Sequence, residues 1–132
     1  MSLLTLEQIV PYEGLCTKLL AENGVRFAGL INNRGRLIAG GFKQGVQPHE
    51  NDEQRQMMYM ELMLDLSMRR EFDTTLGKIR SITSRREKVN LTTIPTENNL
   101  LLLSTELYVD IEKVVSKAYE LVNEVKKLGV NH

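Results

Sequence analysis

Few side chains in this 132-residue chain are of the types that do covalent or metal chemistry. The single thiol, Cys16, would need a lowered pKa and a neighbouring base to act as a nucleophile. It stands instead among Leu15, Leu19 and Leu20, on the apolar face of a helical pattern, which predicts an inert packed thiol. His49 and His132 lie far apart and offer no pair for a metal or a catalytic triad. His49, Glu50, Asp52 and Glu53 are of ligand type for a weakly held divalent cation, and charge at a helix N-terminus accounts for the acidic ones as well. Gly29, Gly35, Gly40 and Gly41 have neither dinucleotide-binding spacing nor the P-loop's following Lys-Ser. The expectation is a chain that is not an enzyme, with no catalytic residues, no cofactor and no metal.

Charge points to contacts rather than to catalysis. The formal net charge is zero, so no bulk term draws the chain to nucleic acid or an anionic membrane. Locally, Arg69 to Lys88 holds seven basic residues against three acidic, a net of +4, and residues 89–124 hold two against six, a net of −4. Arg69, Arg70, Arg85, Arg86 and Lys88 form a candidate anion or partner patch, and the asymmetry suits charge-complementary docking equally. Aromatics are absent between Asp73 and Tyr108, which argues against a base-stacking surface for nucleic acid.

The positioning elements are read from periodicity and breakers. Thr5 and Gln8 form a capping pattern for a first helix, and Pro11 implies either a kink or a short turn before a main helix over Tyr12 to Glu22. Asn23-Gly24 ends it. VRFAGLINNRGRLIAGG, residues 25–41, reads as a hairpin over Val25–Asn32 and Arg36–Gly41. Gly35 in its turn takes the left-handed conformation and forms a bulge. Gly40-Gly41 marks a bulge or a close backbone approach.

After an exposed loop, a central helix spans about Asp52 to Phe72. Its apolar residues fall on two stripes: Met58, Leu62 and Leu66 with Tyr59 and Met63, and Met57, Met60, Leu64 and Met68. A helix on a sheet needs one apolar face, so the second stripe is either more core or an intermolecular contact. Three strands follow at Lys78–Arg85, Lys88–Ile94 and Leu100–Ser104, with Pro95 and Asn98-Asn99 separating the last two. The last helix repeats Ile111, Val114, Val115, Ala118, Leu121, Val122 and Val125, is capped by Asp110 and has Gly129 just past its end. The fold class is α+β: one domain over residues 1–132, a five-stranded antiparallel sheet with three helices, in the order α-β-β-α-β-β-β-α.

This order, and the hairpin LINNRGRLIAGG in particular, resembles the roadblock/LC7 family within the wider profilin-like and longin-like group. MELMLDLSMRREFD followed by SRREK is also similar to small uncharacterised archaeal proteins of this general fold. The roadblock resemblance implies a non-enzymatic homodimer that scaffolds or regulates a small GTPase or a signalling complex. It places Met57, Met60, Leu64 and Met68 on the dimer surface together with an edge strand carrying Lys78, Arg80 and Ile82. No signal peptide is recognised and the longest apolar run, Leu100–Leu103, is too short to span a bilayer, so the expected location is cytoplasmic. The alternative is a small-molecule sensor of the PAS or GAF kind, with a pocket between sheet and helix lined by Phe27, Leu30 and Leu102.

Overall fold

A computed structural model describes residues 6–130. The Thr5 end of the expected capping pattern lies outside them, as does His132. The chain runs α1 (Leu6–Leu20), β1 (Val25–Ile31), β2 (Leu37–Phe42), α2 (Asp52–Arg69), a 3-10 turn (Arg70–Phe72), a single helical turn α3 (Asp73–Leu76), β3 (Ile82–Arg85), β4 (Asn90–Thr96), β5 (Asn99–Thr105) and α4 (Ile111–Val130). The five strands form one antiparallel sheet in the order β2-β1-β5-β4-β3. This is the expected element order.

Strand alternation sends successive side chains to opposite faces, and each face receives its own helices. Ala28, Leu30, Ile94, Leu101 and Leu103 pack under α1 and α4, against Leu15, Cys16, Leu19, Ala118 and Val122. Phe27, Ile31, Leu100 and Leu102 pack on the other face under Tyr59, Met63 and Leu66 of α2. The Leu100–Leu103 run is buried throughout because β5 is the central strand, covered on both sides.

The hairpin turn forms as its sequence specifies. The Gly35 N–H donates to the Asn32 carbonyl and the Asn32 N–H to the Arg36 carbonyl, both at 2.9 Å. The Asn32 side chain accepts from the Arg34 and Arg36 N–H groups, and Gly35 has φ of +76°. Gly40 supplies the close approach: a Cβ there would lie 2.1 Å from the Ala28 carbonyl oxygen and 2.8 Å from Cys16 Sγ.

Several boundaries differ from the sequence reading. α1 is one helix from Leu6 to Leu20 with Pro11 inside it. α2 starts on a capping box, with Asn51 Oδ1 accepting from the Gln54 N–H at 2.8 Å and Gln54 Oε1 accepting from the Asn51 N–H at 3.0 Å. Helical backbone continues past Phe72 to Leu76 and stops at Gly77, where φ is +87°. Pro95 lies within β4 rather than between strands, and the β4–β5 turn is Glu97-Asn98, with Glu97 at φ +57°. Gly129 lies inside α4, which runs to Val130.

The expected strand Lys78–Arg85 shortens to Ile82–Arg85. Continuing its register beyond Ile82↔Thr93 would set Arg80 opposite Pro95, which has no N–H to give. The Arg80 guanidinium lies 5.0 Å over the Tyr119 ring instead, and the Tyr119 hydroxyl donates to the Arg80 carbonyl.

Candidate functional site

The two stripes of α2 separate cleanly. Tyr59, Met63 and Leu66 are buried on the sheet, whereas Met57, Met60, Leu64 and Met68 are 58–66% exposed. At 3.6 residues per turn the outer row is rotated by roughly 140° from the buried one. Phe72 and Leu76 continue the i+4 spacing of Leu64 and Met68 and are exposed as well. Neither is among the site residues expected from the sequence, which end the outer stripe at Met68. Their spacing is the feature that would have found them.

The row leans toward one flank of the helix. On that side the β1–β2 turn closes against α2, with a Cβ at Gly35 falling 2.6 Å from Met60 Cγ. Met58 and Leu62 occupy the other flank, partly buried with Ile82 and Leu91. Ile82, on the edge strand β3, is therefore half-buried across α2 from the outer row rather than beside it. Lys78 and Arg80 are exposed but lie before β3, so they are not edge-strand residues. The structure brings the four outer apolar residues together and does not join Lys78, Arg80 and Ile82 to them.

The basic residues divide between two ends of the sheet. Arg85, Arg86 and Lys88 cluster at the β3–β4 hairpin tip, beside the start of α2. Arg69 pairs with Asp65 at 3.1 Å, and Arg70 donates to the Glu97 carbonyl at 3.0 Å, at the opposite end of β4. Seven strand residues at ~3.3 Å each separate the two groups, so they form no single patch.

Cys16 is buried, and burial together with the Glu13 carboxylate pushes its thiol up to about 12. Such a thiol is neither ionised nor reachable. Glu50 and Asp52 both pair with Arg55. Among the described residues no group of three or more His, Cys, Asp or Glu side chains stands close enough to hold a metal ion. Of the three residues expected to line a sensor pocket, Phe27 and Leu102 line a cleft beneath α2, whereas Leu30 lies under α1 and α4 on the other face. No described helix is long and apolar enough to cross a membrane.

Comparison with solved structures places this architecture. The chain superposes on the gliding protein MglB of Thermus thermophilus with a TM-score of 0.77 at 15% identity, covering 98% of this chain and 96% of that one. An MglB described as having a tetrameric arrangement matches with a TM-score of 0.76 at 16% identity, over 95% and 92% of the two chains. A roadblock/LC7 domain from Streptomyces avermitilis matches with a TM-score of 0.68 at 15% identity, over 89% and 97%. The fold is roadblock/LC7-like. No curated protein matches the chain by sequence. A sequence-family match over residues 5–130 fixes its membership: the chain belongs to the family of unknown function DUF6659.

Proposed function

We propose that this protein is a non-catalytic interaction module that forms a homodimer through the outer row of α2 and serves as a platform for a small GTPase or a signalling protein. The observation that carries the reading is the row itself, four large apolar side chains held out to solvent on one helix face. Isolated exposed leucines need no explanation, but a contiguous row does. Full burial of such a side chain contributes about 1.5–3 kcal/mol, so pairing four with their copies offers a substantial drive for association.

An isologous contact suits the row, because one helix face can meet its own copy about a two-fold axis. Three of the four are methionines, whose flexible thioethers adapt to a partner surface. The tetrameric arrangement described for an MglB supports self-association for this fold. The GTPase or signalling partner rests on the roadblock/LC7 likeness.

Light scattering checks the self-contact. The wild type is expected at twice the 15.1 kDa chain mass, and Leu64→Glu/Met68→Glu at the chain mass with unchanged circular dichroism. Equal masses for the two proteins would refute the assignment.

A further inference from the structure

α2 covers β1 and β5 but leaves the inner face of the β3–β4 hairpin open near its tip. A cleft of about 900 Å³ lies there, between the first half of α2 and the sheet. Ligand sites commonly fall at ~300–1,000 Å³ and combine an apolar lining with a few polar groups that fix orientation. The floor here is Phe27, Phe42, Met58, Leu62, Leu91 and Leu102. The rim carries Arg85, Arg86 and Lys88, which have no ion-pair partner among the described residues.

The wall adds a more specific feature. Arg55 is only 14% exposed, its guanidinium lies 5.0 Å over the Phe42 ring, and one terminal nitrogen donates to Asp52. The other terminal nitrogen, Nη1, is buried with no hydrogen-bond partner. The Glu50 carboxylate oxygen stands 3.6 Å from it, beyond hydrogen-bond range. Burying an unpaired N–H on a charged group is costly, and Arg55 lines the cleft, so an acceptor held beside its guanidinium is favoured. Glu50, Glu61 and Glu87 also line the cleft, and they favour a ligand with a single compact anionic head over a polyanion.

We propose that this cleft is a binding site for a small amphipathic anion, whose carboxylate or phosphate head meets Arg55 and the Arg85–Lys88 rim while its apolar body lies on the Phe27–Leu91 floor. The site is separate from the outer row of α2, which lies on the opposite flank of the helix. Ligand binding and self-association are therefore independent readings.

The test follows methyl and aromatic NMR signals of the full chain during titration with 2-naphthoate, decanoate and adenosine 5′-monophosphate, with 2-naphthamide as the neutral counterpart of the first. Expected is saturable binding of at least one of the three anions, with shifts at Leu62, Leu91 and Phe42. Arg85→Glu/Arg86→Glu, changes on the exposed hairpin tip, should weaken binding at least tenfold. If naphthoate binds, naphthamide should bind at least fivefold more weakly. Leu64→Glu/Met68→Glu should bind as the wild type does, whether or not it dimerises. Saturation by none of the three anions at millimolar concentration, affinity indifferent to the head group or to the rim charges, or shifts centred on Met57, Met60 and Met68 would each overturn the proposal.

Discussion

Two residues show how local environment decides chemistry in this chain. Cys16 is sealed between α1 and the β1–β2 ribbon, and its flanking leucines already give that away in the sequence. It should resist alkylation by iodoacetamide in the native protein and react fully once unfolded; rapid native labelling would contradict its placement. Burial also pushes the Tyr59 hydroxyl up to about 12. For both groups the folded chain holds its proton more tightly than the unfolded one. Their contribution to stability is complete below the ordinary values of 9.0 and 10.0 and is lost as pH rises toward about 12. The denaturation midpoint should therefore begin to fall near pH 9, and Cys16→Ala should remove the earliest part of that decline. A midpoint flat from pH 9 to 11 would count against both assignments. Gly40 has φ of +82° and no room for a Cβ, so Gly40→Ala should cost about 3 kcal/mol in chemical denaturation. The basic patch is the residue-scale reading that did not assemble. Proximity along the chain grouped Arg69 with Arg85, whereas a helix end and a hairpin tip set them at opposite ends of β4.

At the scale of elements, legibility followed how much each piece is specified locally. The hairpin was readable because the Asn32 side chain and the left-handed Gly35 specify the turn locally. The last helix was readable from its apolar period and the Asp110 cap, whose side chain accepts from the Lys113 N–H at 3.4 Å. The long reading of β3 failed because Lys78–Arg85 has strand-like composition, and what ends its pairing is Pro95 on a neighbouring strand, a non-local cause. The start of α2 is an exception, because its Asn51–Gln54 box is a local N-x-x-Q signal that the acidic residues after it obscure. Asn51→Ala should lower stability by about 1 kcal/mol, measured by urea unfolding, with the fold intact. A change below a few tenths would mean that the capping box contributes little.

For the whole molecule, the decisive feature was already present in the heptad-scale pattern of the central helix. Two apolar stripes on one rod cannot both face a single sheet, and the structure resolves them into a buried row and an outward one. The sequence alone did not reveal on which flank of α2 the outward row would lie, because that depends on how the β1–β2 turn and the β3–β4 hairpin bracket the helix. That placement leaves the row as a self-contained surface, apart from the edge strand.

The most direct test of this account is a dilution series observed through the methionine methyl groups by NMR. Met57, Met60 and Met68 should shift or broaden together as concentration falls through the dissociation constant, while Met58 and Met63, on the cleft flank and the sheet side of the same helix, stay in place. Signals of Met57, Met60 and Met68 that do not change with concentration, in a protein sedimenting at the mass of one chain, would contradict it.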